Sequence, residues 1–300
     1  MHVISLPPDP GLGEKLATLM KCSHARATYK TFPDGELYLR LPSTADEPLI
    51  LVSTTYPDQN RSLMELFFAL EYLGSKGFRE LYAVVPYMAY GRQDKEFLEG
   101  EVVSGRAVLR MLRDLGLRRL FVVDMHSAVL MSEFKDLVVN TLPARTLADY
   151  VGRAVRVPRV VIAPDVGASG RAEAIAKLLG CEYAVVSKFR DRITGEVTHR
   201  VPEELSLEGF NAVIVDDIVS TGGTVASIAK HLLSRGVEEV HVIASHGLFV
   251  GDSLAKLSSS GVRRVAVLNT VSHHVESDLV EYLDVTGELL EPIRNVLPTR

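Results

Sequence analysis

The stretch that decides the fold is Val213–Thr224, with the sequence VIVDDIVSTGGT. It opens as a run of branched apolar residues, passes through the adjacent acids Asp216 and Asp217, and ends in a Ser-Thr-Gly-Gly-Thr turn. An amphipathic helical pattern, Thr224–Ser234, follows directly. A short Val- and Ile-rich run that feeds a helix through a Gly-containing turn is typical of a buried strand in a parallel sheet. The stretch therefore predicts an α/β fold with this turn at the carboxyl edge of the sheet.

Similar apolar runs recur on both sides of this stretch, and amphipathic helical patterns separate them. The runs are Leu49–Ser53, Leu81–Pro86, Leu120–Val123, Val160–Ala163, Tyr183–Ser187, Ala212–Val215, Val240–Ala244 and Val265–Leu268. The helical patterns are Ser62–Ser75, Ser104–Leu115, Arg171–Leu179 and Thr224–Ser234. This alternation predicts two similar halves that face one cleft, each with a mostly parallel sheet flanked by helices. We place the boundary near Thr141–Tyr150, which gives domains 1–145 and 146–300.

Composition excludes several classes of protein. The 300 residues carry a formal net charge of -5 and only two cysteines, Cys22 and Cys181. An acidic chain has no overall attraction for nucleic acid or anionic lipid, so any anion must be captured locally. Two cysteines cannot support a disulfide framework or a Cys-based zinc site, and they are expected to be core thiols. No apolar run approaches the ~18 residues of a membrane helix. We expect a cytoplasmic protein that binds neither nucleic acid nor membranes.

The Ser-Thr-Gly-Gly-Thr turn has the chemistry of a phosphate site. Backbone amides of such a turn and of a helix N-terminus bind phosphate, and hydroxyl groups add donors. The acids Asp216 and Asp217 are suited instead to the hydroxyls of a sugar, or to magnesium through water. The turn could also be a simple helix cap with a loop, but adjacent acids directly after an apolar strand argue against that. The candidate phosphate residues are Ser220, Thr221, Gly222, Gly223 and Thr224.

Further acids and a histidine follow other predicted strands. On an extended segment, Asp124 and His126 would share one side. Asp165 follows the run Val160–Ala163 and could bind a metal or act as the N-cap of the next helix. The Val-Gly-Ala-Ser-Gly stretch that intervenes before Arg171 argues against the cap. A histidine at a strand end is also compatible with a structural hydrogen bond, so the metal interpretation depends on its neighbours.

Two cations, Lys188 and Arg190, follow the run Tyr183–Ser187 and begin a polar stretch that extends to about Arg200. Spacing by two in an extended loop allows both to face one anion, and closure of a mobile loop could neutralise charge during a transfer reaction. The alternative is a solvated run of charges.

Six segments, taken in order along the chain, resemble one enzyme family. The turn in Val213–Thr224 resembles the phosphoribosyl-diphosphate (PRPP) loop that type I phosphoribosyltransferases share with PRPP synthetases. The other five segments resemble PRPP synthetases in particular. They are Phe32–Glu36 (FPDGE), Tyr87–Asp94 (YMAYGRQD), Val123–Ser127 (VDMHS), Ala163–Gly167 (APDVG) and Lys188–Gly195 (KFRDRITG). The chain is thus similar to the ribose-phosphate pyrophosphokinase family, whose architecture is two tandem type I phosphoribosyltransferase-like domains.

The resemblance implies transfer of the diphosphoryl group of ATP to the anomeric hydroxyl of ribose 5-phosphate, with Mg²⁺ as cofactor. It implies a nucleotide side in domain 1–145 and a ribose 5-phosphate side in domain 146–300. The implied ATP-binding residues are Phe32, Asp34, Glu36, Arg92, Gln93 and His126. His126 and Asp165 would bind metal, and Lys188 and Arg190 would be catalytic. The ribose 5-phosphate residues would be Asp216, Asp217, Ser220, Thr221, Gly222, Gly223 and Thr224.

The resemblance also implies a homo-oligomer built from dimers with a shared active site, because in the family FPDGE reaches the nucleotide site of a neighbouring subunit. From the residues themselves, Arg92 could stack on adenine or meet phosphate, and FPDGE alone would be an ordinary turn. Lys95 and Gly91 depart from residues that many relatives carry.

Two alternatives remain at this point. A phosphoribosyltransferase that consumes PRPP would account for the shared loop but poorly for FPDGE, the RQD segment and the duplication. An inactive regulatory subunit would be free to lose the loop cations, yet Lys188 and Arg190 are present. Allosteric control, the strictness of nucleotide choice and the roles of His246, His273 and His274 stay open.

Overall fold

The computed structural model describes residues 1–43, 47–190, 197–200, 202 and 206–297, and of 188–190 and 197–200 it describes the backbone alone. Contacts divide the chain into two compact units. Unit 1 contains Met1–Thr141, Thr270–His273 and the segment that begins at Val285, and unit 2 contains Leu142–Asn269 and His274–Asp284. The sequence predicted a single boundary near residue 145, whereas this grouping assigns the segment from Val285 onward to unit 1.

The elements before residue 142 are β1 (His2–Ser5), α1 (Leu12–Met20), β2 (Ser23–Arg26), β3 (Thr28–Thr31), β4 (Leu37–Arg40), β5 (Leu49–Val52), α2 (Gln59–Ser75), β6 (Leu81–Val84), α3 (Ser104–Asp114), β7 (Arg119–Val123), α4 (Ala128–Glu133) and β8 (Val138–Thr141). Those after it are α5 (Ala144–Ala154), β9 (Arg159–Ala163), a 3₁₀ turn (Val166–Ala168), α6 (Ser169–Leu179), β10 (Glu182–Val185), β11 (Ser187–Arg190), β12 (Val197–Arg200), β13 (Asn211–Val219), α7 (Gly223–Ser234), β14 (Glu239–Gly247), α8 (Ser253–Ser259), β15 (Val262–Leu268), β16 (Val280–Leu283) and α9 (Thr286–Val296).

Both units have the same sheet topology among the described residues. Unit 1 has a six-stranded sheet of order β2-β1-β5-β6-β7-β8, and unit 2 has one of order β10-β9-β13-β14-β15-β16. All neighbouring strands in these sheets are parallel. In each unit an antiparallel two-stranded arm follows the second strand, β3–β4 in unit 1 and β11–β12 in unit 2. The predicted α/β fold with two similar halves is confirmed.

The buried strand β1 (HVIS) was missed, whereas the other buried strands lie where the apolar runs predicted them. Their ends differ in one important place. Strand β13 extends to Val219, so Asp216 and Asp217 lie inside the strand rather than after it. The prediction missed the edge strands β2, β8 and β16 because their sequences, SHAR, VVNT and VEYL, are short and partly polar. It also missed α5, which occupies the predicted boundary segment.

The core of each unit lies between its sheet and the helices that cover it. Helix α2 buries a stripe of leucines that includes Leu63, Leu66 and Leu70, and α7 buries Val225 and Ile228. Each such side chain, when fully buried, stabilises the fold by about 1.5–3 kcal/mol. Packing of this kind fixes the strand ends and therefore the polar residues on them.

The last described helix, α9, belongs to unit 1. It packs against α1, β7 and β8, and Leu289 and Ile293 are buried. The Arg294 guanidinium donates a hydrogen bond to the Leu19 carbonyl at 3.1 Å. Among the helices of the described residues, none combines the length and the apolar character that crossing a membrane requires.

Candidate active site

Two adjacent carboxyl groups lie near the carboxyl end of β13 in unit 2. The amide of Asp217 donates a hydrogen bond to Asp216 Oδ1 at 2.9 Å. Burial, together with the neighbouring Asp217 charge, raises the pKa of Asp216 to about 8, and Arg171 in α6 opposes this shift. A carboxyl group in such surroundings can hold a proton near neutral pH and can accept hydrogen bonds from sugar hydroxyls when ionised.

The turn between β13 and α7 leaves the N-terminus of α7 open. Gly222 is the N-cap residue with φ +73°, and no described side chain caps this end. A Cβ on Gly222 would lie 3.3 Å from the Ser253 carbonyl oxygen and 3.2 Å from Leu257 Cγ, so the conformation favours glycine and the space for a side chain is tight. At Gly223 the nearest atom to such a Cβ is Thr221 Oγ1 at 4.0 Å. The backbone amides in the first turn of α7 can therefore bind an anion.

Asp165 lies at the carboxyl end of β9 and caps the turn that follows. Its Oδ1 accepts a hydrogen bond from the Ala168 amide at 3.1 Å, and the 3₁₀ turn Val166–Ala168 runs directly into α6. Asp165 therefore caps this short turn and not α6, whose N-cap residue is Ala168 and has no side-chain cap. The turn itself was not predicted. The capping bond uses Oδ1, and Asp165 is exposed, so Oδ2 can still bind a metal.

The two predicted catalytic cations lie on the arm of unit 2. In the antiparallel pairing, Lys188 is opposite His199 and Arg190 is opposite Val197. Strand β12 lies beside α7, the helix that the candidate phosphate turn opens. The side chains of Lys188 and Arg190, and the predicted loop residues Thr194 and Gly195, lie outside the described residues. Their catalytic role stays a prediction.

At the carboxyl edge of the unit 1 sheet, the segment that carries Asp124 and His126 departs from the extended form that the prediction of a shared side assumed. Asp124 is buried and adopts φ +46°, whereas His126 is exposed. The left-handed conformation at Asp124 means that the segment is not extended there. The next residue, Ser127, caps α4 by accepting from the Leu130 amide at 3.0 Å and donates to Asp94 Oδ2 at 2.7 Å. The bond to Asp94 joins the VDMHS segment to the RQD segment.

Helix α3 fixes the backbone of the RQD segment, residues 92–94. The Gly105 amide donates to the Gln93 carbonyl at 3.3 Å. A Cβ on Gly105 would lie 2.8 Å from the Tyr90 carbonyl oxygen and 2.5 Å from Leu130 Cδ1, so only glycine allows this approach. Arg92 is exposed and Gln93 half-buried. Their backbone is thus fixed while the Arg92 side chain faces solvent.

The FPDGE segment forms the tip of the unit 1 arm and is exposed throughout. The Phe32 amide donates to the Glu36 carbonyl at 2.8 Å, and the Glu36 amide donates to Asp34 Oδ1 at 3.2 Å. The Phe32 ring packs edge-on to Tyr38 at 6.2 Å between ring centroids, and Lys30 Nζ lies 4.7 Å from the Phe32 centroid. The arm therefore presents an aromatic face and two carboxylates to solvent.

Three residues near these sites were missed from the sequence. Arg171 acts electrostatically on Asp216 from the first turn of α6, and the VGASG stretch that precedes it was a usable signal. Ser127 and Gly105 position the RQD segment through contacts that no linear motif reveals, although Ser127 before an apolar run is a recognisable cap signal. Fixed side chains of this kind decide whether a site is well formed.

The remaining singled-out residues make structural contacts. His246 is buried in β14, His273 packs edge-on to Tyr56 at 6.0 Å, and His274 stacks on Tyr282 at 4.2 Å. Cys22 and Cys181 are free and half-buried rather than core residues. Burial raises the pKa of both thiols.

Comparison with known proteins decides the family. The N-terminal domain of ribose phosphate pyrophosphokinase matches residues 1–116, and the phosphoribosyl transferase domain matches residues 140–276. The chain belongs to the ribose-phosphate pyrophosphokinase family. A ribose-phosphate pyrophosphokinase of Sulfurisphaera tokodaii is 37% identical over 98% of this chain and 100% of its own length. That of Sulfolobus acidocaldarius is 34% identical over 94% and 96% of the two chains.

A solved structure agrees over the whole length. Phosphoribosylpyrophosphate synthetase from Mycobacterium smegmatis matches with a TM-score of 0.87 and 25% identity, covering 98% of each chain. The predicted tandem architecture and membership of the ribose-phosphate pyrophosphokinase family are thereby confirmed. The individual site residues stay predictions.

Proposed function

We propose that this chain is an active ribose-phosphate pyrophosphokinase, which converts ATP and ribose 5-phosphate into AMP and PRPP. The anomeric hydroxyl oxygen attacks the β-phosphorus of ATP and forms a new P–O bond. The bond from that phosphorus to the α,β-bridging oxygen breaks, AMP leaves, and the hydroxyl proton passes to solvent. The observation that carries the proposal is the open, glycine-lined N-terminus of α7 beside two acids, in a chain that matches the family over its full length.

Ribose 5-phosphate is assigned to unit 2. The amides of Gly223 and Thr224 at the start of α7 would hold its phosphate, and the hydroxyls of Ser220 and Thr221 would add donors. Asp216 and Asp217 would accept hydrogen bonds from ribose hydroxyls. This arrangement suits a sugar phosphate, because the phosphate would contact hydrogen-bond donors and the ribose hydroxyls would contact carboxylates.

ATP is assigned to the carboxyl edge of unit 1. Arg92, on a backbone fixed by Gly105, would stack on adenine or meet a phosphate, and Gln93 would add a polar contact. His126 would lie at the triphosphate. Phe32, Asp34 and Glu36 would complete the adenine site from a neighbouring subunit, which requires a homo-oligomer built from dimers. The exposure of all three at the arm tip is what such a contribution needs.

The donor set fits Mg²⁺ carried by substrate. Among the described residues, no group of three or more His, Cys, Asp and Glu side chains converges as a metal cage, and Mg²⁺ is normally held by one or two carboxylates plus phosphates and water. Asp165 supplies an oxygen donor of the preferred kind, whereas the imidazole of His126 suits Mg²⁺ less well. When bound, the ion would neutralise phosphate charge and orient the β-phosphorus.

Lys188 and Arg190 would neutralise the charge that develops as AMP leaves. Phosphoryl transfer depends mainly on positioning and charge stabilisation, so cations that act in the transition state lower the barrier directly. The position of β12 beside α7 supports this role, since it brings the arm to the helix that would hold ribose 5-phosphate. The small number of cysteines suits a reducing compartment such as the cytoplasm.

The test is an assay of the purified chain with ATP, Mg²⁺ and ribose 5-phosphate. AMP and PRPP should form in equal amounts, and AMP formation should depend on ribose 5-phosphate. A PRPP-consuming transferase would form no AMP under these conditions, and an inactive regulatory subunit would form neither product.

A further inference from the structure

One buried hydroxyl group joins two segments at the carboxyl edge of the unit 1 sheet. Thr55, which follows β5, is only 1% exposed. Its hydroxyl donates a hydrogen bond to the Tyr87 carbonyl at 2.6 Å and accepts one from the Ala89 amide at 2.7 Å. A threonine hydroxyl has one proton and two lone pairs, so it can bind a carbonyl and an amide at once. Both partners belong to the segment that leads from β6 to Arg92.

The two bonds continue the pairing of β5 with β6 beyond the point where the backbones separate. The last paired residues of these strands are Val52 and Val84. Beyond them, the Thr55 amide lies 3.4 Å from the Tyr87 carbonyl oxygen, which is long for a backbone hydrogen bond. Ala89 is buried, and a buried amide needs a partner. The Thr55 hydroxyl supplies that partner where the sheet no longer does.

The segment bound in this way enters a turn that begins with a left-handed residue. Tyr90 adopts φ +64°, a conformation that is unfavourable for a residue with a side chain. The Gln93 amide donates to the Tyr90 carbonyl at 3.2 Å and closes the turn, which contains Arg92. A backbone conformation of this kind persists only where its surroundings fix it. The amide of Ala89, directly before Tyr90, is fixed by Thr55.

We propose that Thr55 is a positioning residue for nucleotide binding, whose hydroxyl fixes the start of the turn that directs Arg92 and Gln93 towards ATP. The inference rests on the proposed function, which assigns these two residues to ATP. Thr55 is buried and acts only through the backbone of residues 87–93. Gly105 supports the other end of the turn through its bond to the Gln93 carbonyl, so contacts from β5 and from α3 hold the turn at both ends.

The neighbouring Thr54 provides a matched control, because its hydroxyl contacts a different segment. Thr54 is fully buried, and its hydroxyl donates to the Thr270 carbonyl at 2.8 Å. Replacing either threonine by valine leaves a buried backbone group without that partner, which destabilises the fold. Of the two hydroxyls, the one on Thr55 contacts residues 87–93. A purely structural role would therefore give both variants the same phenotype.

The first experiment measures substrate affinity by calorimetry. Thr55→Val should weaken ATP binding on the order of tenfold and leave ribose 5-phosphate binding unchanged. In steady-state kinetics this loss should appear as a raised KM for ATP with kcat little changed, because Thr55 touches neither substrate. Thr54→Val should lower the Tm as Thr55→Val does, but it should keep both affinities at the wild-type value.

Conservative variants test whether the hydroxyl is the group that matters. Thr55→Ser keeps a donor and an acceptor and should restore ATP affinity close to that of the wild type. Thr55→Cys has a weak donor and a weak acceptor, so its affinity should fall between those of the serine and valine variants. Circular dichroism checks that each variant folds. If Thr55→Val does not fold, the order of the serine and cysteine variants gives the same test.

The second experiment uses hydrogen exchange of the ligand-free chain and therefore needs no substrate. Removal of the Thr55 hydroxyl should free the turn to open locally. In Thr55→Val, the amides of Ala89 and Gln93 should exchange faster than in the wild type. In Thr54→Val, the same two amides should keep the wild-type rate.

Unchanged exchange in Thr55→Val would overturn the proposal, as would a loss of ATP affinity in Thr54→Val or Thr55→Ser as large as that in Thr55→Val. Faster exchange with wild-type ATP affinity would also overturn it, since the turn would then not position the nucleotide. A wild-type chain that binds ATP but forms no AMP would contradict the proposed function and leave this inference standing. A wild-type chain that does not bind ATP would contradict both.

Discussion

Gly222 and Gly223 are neighbours in the phosphate turn, yet different constraints act on them. Gly222 has a positive φ and only tight space for a Cβ, whereas Gly223 has ordinary φ and open space. A substitution at Gly222 therefore acts on folding. A substitution at Gly223 leaves the fold intact and changes the binding of any ligand that contacts the N-terminal amides of α7.

We predict that Gly223→Asp removes ribose 5-phosphate binding and leaves ATP binding unchanged. A carboxylate placed against a bound phosphate costs several kcal/mol, so affinity should fall on the order of 100-fold or more. Calorimetry with each ligand measures this. Gly223→Asn has nearly the same shape without the charge and is the matched control, with a smaller loss expected. Equal loss of both ligands would show that the turn is not the sugar phosphate site.

Asp216 predicts a dependence of stability on pH. Its pKa is about 8 in the fold and about 3.9 in an unfolded chain, so the folded state binds more protons between these values and loses stability as pH rises through them. Asp216→Asn removes this loss. Without substrates, the Tm of the variant should exceed that of the wild type by about 2–4 °C or more at pH 9. The difference should shrink towards pH 5. A difference independent of pH would contradict the assignment.

At this scale the sequence predicted the residue types of the candidate site better than their conformations. The acids, the glycines and the cations could be singled out because their chemistry is local and their spacing is regular. Neither the positive φ of Asp124 nor the approach of Arg171 to Asp216 could be predicted in this way, since both are set by packing between distant segments. The 3₁₀ turn that Asp165 caps was not predicted, because its sequence, VGA, is typical of a loop.

At the scale of elements, the paired arms are the clearest product of the duplication. Each follows the second strand of its sheet, and one carries FPDGE while the other carries Lys188 and Arg190. Most buried strands were predictable from Val and Ile runs, with β1 (HVIS) as an exception, whereas the arms were not. Strand β3, with the sequence TYKT, is exposed at every residue and carries no apolar period.

Helix α3 gives a prediction for the nucleotide segment. Gly105→Ala would drive a methyl group into the Tyr90 carbonyl and Leu130, so the segment that carries Arg92 and Gln93 must shift. We expect the KM for ATP to rise about tenfold, equivalent to about 1.4 kcal/mol, with the KM for ribose 5-phosphate little changed. Steady-state kinetics with each substrate varied in turn measure this.

The matched control is Gly152→Ala in α5, where a new Cβ meets nothing within 4 Å. It should leave both KM values unchanged and add about 0.5–1 kcal/mol of helix stability. A Gly105→Ala variant with normal ATP kinetics would remove α3 from the positioning of this segment.

At the scale of the whole molecule, the shared site predicts complementation between inactive chains. Glu36→Ala and Lys188→Ala should each be inactive alone, since under the proposed arrangement one chain supplies Glu36 and its partner supplies Lys188 to the same site. After subunit exchange at random, half of the dimers are mixed and each holds one intact site. About a quarter of wild-type activity should return. Continued inactivity after proven exchange would place both residues in a single-chain site.

Helix α9 has a consequence for how the chain folds during synthesis. It packs on α1, which is made well before it, because most of the described chain lies between the two helices. Unit 1 begins to form early but cannot bury Leu289 and Ile293 until the residues of unit 2 have emerged. A nascent chain halted after Asp284 should therefore protect the amides of β13 and β14 from hydrogen exchange and leave those of β7 and β8 exchanging faster. The reverse pattern would show that unit 1 completes itself without its last helix.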